Sequence, residues 1–99
     1  MIASMKATLL LKERFVVDAD SYAAALVWQV PQAVPGSAHR YTYSLAYIVR
    51  SVCVLRYDNE RGKGDHKHRG DIEMPYVFTT PERLLADFWA DVDHWRAST

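Results

Sequence analysis

The sequence predicts an α+β fold: a four-stranded antiparallel meander covered on one face by a C-terminal amphipathic helix, with residues 1–99 forming a single domain. Three observations predict it. Apolar residues alternate with period two through the first half of the chain. Turn residues or prolines separate the alternating runs. The last twenty residues switch to apolar spacings of three and four.

Residues 6–17 read as the first strand, with Ala7, Leu9, Leu11, Phe15 and Val17 on one parity and Glu13 as the exception. Asp18-Ala19-Asp20-Ser21 supplies a turn, and residues 21–30 follow as a second strand carrying Tyr22, Ala24, Leu26, Trp28 and Val30 on one side. Pro31 ends that strand and opens a loop to Ser37. Residues 40–50 have the cleanest alternation, with Tyr41, Tyr43, Leu45, Tyr47 and Val49 on one face. A turn at Arg50-Ser51, poor in the residues that favour type I′ geometry, leads to a fourth strand over 52–58. Tyr76-Val77-Phe78 reads as a short extended piece. Thr79-Thr80-Pro81-Glu82 then places a hydroxyl cap, a first-turn proline and an acid at a helix start. The helix over 80–96 carries an apolar stripe of Leu84, Leu85, Phe88, Trp89, Val92 and Trp95.

Composition removes several function classes. Hydrophobic residues make up 49% of the chain, which excludes a disordered polymer. Cys53 is the single cysteine, so neither an internal disulfide nor a cysteine-rich zinc site can form, and its apolar neighbours predict a buried position. No apolar stretch is long enough to span a bilayer, and Met1–Lys6 does not read as a signal peptide, so a cytoplasmic location is expected. Twelve Lys and Arg balance twelve Asp and Glu. A neutral chain does not bind polyanions in bulk, so contact with nucleic acid needs a local patch.

The chemistry concentrates in residues 56–70, read as a polar loop. From Arg56 to Asp71 the chain holds five Lys or Arg, four Asp or Glu and two of its four histidines. A plain solvated loop explains charge and the glycines Gly62 and Gly64, but three functional readings compete with it. His66 and His68, two apart, share a side in an extended backbone and with Asp58 or Asp65 could bind a metal. No third ligand is set by spacing, so the shell looks incomplete and no metal is expected. Phosphodiester cleavage without metal fits better. Imidazole as a group is suited to proton transfer near neutral pH, so His66 or His68 can serve as base or acid, while Asp58, Lys63 and Asp65 complete a catalytic set. Asn59, Arg61, Lys67, Arg69 and Arg40 are the candidates for RNA phosphates, with His39 close to Arg40. The third reading is a non-catalytic module that blocks a protein target through the same loop. If the loop is the site, His66→Ala and Lys63→Ala should abolish function with little loss of stability.

Three stretches carry a family likeness: Lys6-Ala7-Thr8-Leu9-Leu10-Leu11-Lys12-Glu13-Arg14-Phe15; Trp28-Gln29-Val30-Pro31 through Val34-Pro35-Gly36-Ser37-Ala38-His39-Arg40-Tyr41; and Tyr57-Asp58-Asn59-Glu60-Arg61-Gly62-Lys63-Gly64-Asp65-His66-Lys67-His68. The sequence resembles the TumE-type family of prokaryotic toxin–antitoxin systems over nearly its whole length. The resemblance implies the toxin half of a type II pair, restrained by a cognate antitoxin protein. Many such toxins are small ribonucleases, so RNA is the expected target and no cofactor is implied.

Overall fold

A computed structural model describes residues 6–99, so the reading of Met1–Met5 lies outside the described residues. Six strands form one antiparallel sheet in sequence order: β1 (Thr8–Asp18), β2 (Ser21–Gln29), β3 (Tyr41–Val49), β4 (Val52–Glu60), β5 (Gly64–Arg69) and β6 (Ile72–Pro75). One helix, α1 (Pro81–Ala97), follows. The α+β class, the meander and the terminal helix agree with the sequence, but the sheet has six strands rather than four. The polar segment 56–70 is therefore no loop. It is the end of β4, a tight turn and all of β5.

The core lies between α1 and one face of the sheet. Ala23, Ala25 and Val27 of β2, Tyr43, Leu45 and Tyr47 of β3, and Leu55 and Tyr57 of β4 are buried against Leu84, Phe88 and Val92. Tyr57 and Phe88 meet edge-on with ring centroids 5.8 Å apart. The expected cap is in place, with the Thr80 hydroxyl accepting from the Arg83 amide at 3.0 Å. The burial stripe of α1 matches the three-and-four spacing, because helical periodicity sets which side chains can face the sheet. Among the described residues no helix is long and apolar enough to cross a membrane.

Two local expectations are corrected. Cys53 is exposed, not buried. Ile48 pairs with Cys53 whereas Tyr47 pairs with Leu55, so Val54 is an extra residue in β4 and the alternation shifts there. The turn at Arg50-Ser51 has the positive φ angles of a type I′ turn at both residues, 47° and 68°, despite its composition. The hairpin twist selects the geometry and the side chains tolerate it. Ser51→Gly should relieve about 1 kcal/mol of that strain, raising the melting temperature by about 4–8 °C in a thermal scan. An unchanged or lower value would mean that the Ser51 side chain stabilises the turn.

Only one face of the sheet is covered. The register places Arg14, Ala24, Ala46, Arg56, His68 and Glu73 in one row across the opposite face, and Lys12, Leu26, Ser44, Asp58, His66 and Pro75 in the next. Strand alternation thus decides which polar residues of the β4–β5 hairpin look toward α1 and which look away.

Candidate functional site

The hairpin is held by glycine chemistry. Gly62 and Gly64 have φ angles of 84° and 78°, which turn the chain between β4 and β5. Gly64 also packs against the β2–β3 loop. A Cβ there would lie 2.7 Å from the Gly36 carbonyl oxygen, and one on Gly36 would lie 2.9 Å from the Gly64 nitrogen. The Gly62 amide donates to the Pro35 carbonyl at 2.7 Å. The close approach that Gly64 permits is thus to the chain's own backbone.

On the open face, Asp58 of β4 stands directly opposite His66 of β5, and His68 follows on the same side. One ligand atom from each lies within 4.8 Å of the others. The His66 Nδ1–H donates to the Gly64 carbonyl at 3.0 Å, which turns Nε2 toward Asp58. That Nε2 lies 2.6 Å from Asp58 Oδ1. Even so, Asp58 Oδ1 is buried without a hydrogen-bond partner, so the approach does not follow an N–H direction. His68 Nε2 is likewise buried and unpartnered, although Glu73 Oε1 lies 3.3 Å away. The side chains of Asp58 and His68 are 21% and 22% exposed against 6% for His66, so the cluster opens through the first two.

Two residues not singled out from the sequence border this cluster. Arg56 Nε lies 3.5 Å from Asp58 Oδ2, and Arg56 faces His68 across the ladder. Its parity with Asp58 was the available signal, once 52–60 is known to be strand. Glu73 of β6 takes Lys63 Nζ at 3.1 Å. That ion pair holds the Glu73 carboxyl below its ordinary range and lifts the Lys63 ammonium above its own. Lys63 therefore sits at the rim, between Glu73 and Glu60, rather than in the cluster.

The other expected site residues go elsewhere. Asp65 lies on the helix side, where its Oδ1 accepts from His39 Nε2 at 2.8 Å and from the Tyr43 hydroxyl at 2.7 Å. The Tyr41 amide donates to His39 Nδ1, which puts the ring proton on Nε2, and Phe78 stacks on that ring at 3.9 Å. Burial, then the Asp65 contact, pushes the Tyr43 phenol above its ordinary value, so it remains a donor. Lys67 also faces α1, pairing with Asp91 at 3.2 Å beside the Tyr57 hydroxyl. Tyr57 donates to Asp91 as well, and burial raises its phenol first of all. Asn59 is buried, its amide spent on the Tyr43 N–H, the Tyr41 carbonyl and the Ser37 hydroxyl. Arg40, Arg61 and Arg69 are exposed around these elements. The hairpin thus divides into a His66/His68/Asp58 cluster on the open face and a His39/Asp65/Tyr43 network on the covered one.

A family model described as toxin TumE matches residues 6–96, all but the two ends of the chain. No curated protein and no solved structure matches it.

Proposed function

We propose that this chain, which belongs to the TumE toxin family, is the toxin half of a type II pair and acts on RNA phosphodiesters at Asp58, His66 and His68. The observation that carries this reading is the convergence of those three side chains on the sheet face that α1 leaves open. Cleavage by a 2′-hydroxyl needs a group to take its proton, a group to protonate the leaving oxygen and positive charge near the phosphorane. His68 and Asp58, the more open members, supply the proton transfers in the metal-free version expected from the sequence. His66 orients Asp58 from beneath. Arg56 is the nearest cation, and Lys12 and Arg14 stand on the same face three strands away, on β1. A metal-dependent version is favoured by one observation, the two buried and unpartnered ligand atoms.

The test is inducible expression in a bacterial host, with growth and RNA 5′ ends followed together. Asp58→Asn and His68→Gln are each expected to relieve growth arrest and to remove the new 5′ ends. Lys63→Ala, a change at the half-exposed rim, should alter folding stability by no more than about 0.5 kcal/mol. His66→Ala is a poorer probe than the sequence promised, because His66 is buried and its loss costs stability too. Growth arrest with intact RNA would shift the assignment to a binding module that blocks a protein target. Arrest that survives both Asp58→Asn and His68→Gln would remove this cluster from the active surface. A small antitoxin, encoded beside the toxin, should restore growth.

A further inference from the structure

The geometry points to a site for one divalent transition-metal ion, of the Zn²⁺ class rather than Mg²⁺ or Ca²⁺, bound by Asp58 Oδ1, His66 Nε2 and His68 Nε2. It rests on the location proposed above, not on ribonuclease activity. Three features support it together. The first is distance: atoms that lie within 4.8 Å of one another leave a central point no more than about 2.8 Å from each. Zinc–nitrogen and zinc–oxygen bonds are about 2.0–2.2 Å, so side-chain shifts of up to about 0.8 Å suffice. The second is orientation. The His66 Nδ1–H donates to the Gly64 carbonyl, so Nε2 is the ring nitrogen turned toward Asp58 Oδ1, 2.6 Å away and out of line for a hydrogen bond. The third is the pair of unsatisfied buried atoms, Asp58 Oδ1 and His68 Nε2, both members of the same triangle. Buried polar atoms left without partners are costly, and a metal would satisfy both at once.

The surroundings suit this assignment. Arg56 approaches Asp58 Oδ2 and leaves Oδ1 free for the ion. The Gly64 carbonyl behind His66 is the outer partner that a metal-bound imidazole ordinarily has. Imidazole donors select zinc, iron, cobalt, nickel or copper over the hard cations, which prefer all-oxygen shells. Three protein ligands leave a fourth position for water or for Glu73 Oε1, which lies 3.3 Å from His68 Nε2.

The experiment uses the full chain, purified without a metal-affinity tag from a host kept alive by the antitoxin or by low expression. Elemental analysis after gel filtration should find one zinc-class ion per chain, lost from Asp58→Asn and His68→Gln proteins that retain a native circular dichroism spectrum. Removing the ion with dipicolinate should lower the melting temperature of the wild type, with recovery on adding Zn²⁺ or Co²⁺ but not Mg²⁺. Co²⁺ bound in a four-coordinate site should also give visible d–d absorption that the two variants lack. Chain free of metal, with a melting temperature unmoved by dipicolinate, Zn²⁺ and Co²⁺, would overturn the site and leave a buried imidazolium–carboxylate pair. Metal bound while RNA stays intact would keep the site and sink the RNA reading. RNA cleavage by protein that neither carries nor takes up the ion would sink the site and keep the RNA reading.

Discussion

Gly64→Ala should destabilise the protein by roughly 2–6 kcal/mol, a large part of the 5–15 kcal/mol typical of a small domain. Two costs add. At φ 78° a side chain is strained, and the new Cβ would meet the Gly36 carbonyl oxygen at 2.7 Å, with backbone on both sides and nothing flexible to move. Gly62→Ala is the internal control. Its φ of 84° carries the same strain, but a Cβ there meets nothing within 4 Å, so only about 1–2 kcal/mol should be lost. Chemical denaturation of the two variants measures the difference. Equal losses would mean that the Gly36–Gly64 contact gives way without cost, and that the β2–β3 loop does not brace the hairpin. A large gap would show that the loop fixes the β4–β5 turn from which Asp58 and His66 are set opposite each other.

The parts of this fold that were legible in the sequence are those where hydrophobic burial writes the pattern. β3 alternates cleanly because Tyr43, Leu45, Tyr47 and Val49 pack under α1 while Thr42, Ser44 and Ala46 do not. The stripe on α1 was readable for the same reason. β5 was not. Its inward positions are Asp65 and Lys67, which satisfy their charge on His39, Tyr43, Asp91 and Tyr57, so no apolar period betrays the strand. β6 has four residues and little burial. Reading 56–70 as a loop therefore placed Asp58, Lys63, Asp65, His66 and His68 in one catalytic set. Pleating separates them: Asp58, His66 and His68 face one way, Asp65 and Lys67 the other. The grouping of His66 with His68 at two-residue spacing was correct geometry, whereas Asp58 as their neighbour depended on a cross-strand register that spacing along the chain does not contain.

Asn59 makes the same point in energetic terms, and it gives the second large effect. The β3–β4 pairing runs only as far as Ser44 and Asp58. Beyond it the Asn59 side chain takes over, accepting from the Tyr43 amide at 2.9 Å and donating to the Tyr41 carbonyl at 2.6 Å. It acts as a piece of backbone where the ladder has opened. A buried donor or acceptor stripped of its partner costs about 1–3 kcal/mol, and Asn59→Ala strips two, so roughly 2–6 kcal/mol should be lost. For a chain of this size that corresponds to a fall in melting temperature of about 10 °C or more. RNA contact, the role that its place in the polar segment suggested, predicts the opposite pattern: a weakened RNA complex at unchanged stability. Thermal scans beside an RNA-binding titration of Asn59→Ala separate the two, and a melting temperature within a degree or so of wild type would return Asn59 to the RNA surface.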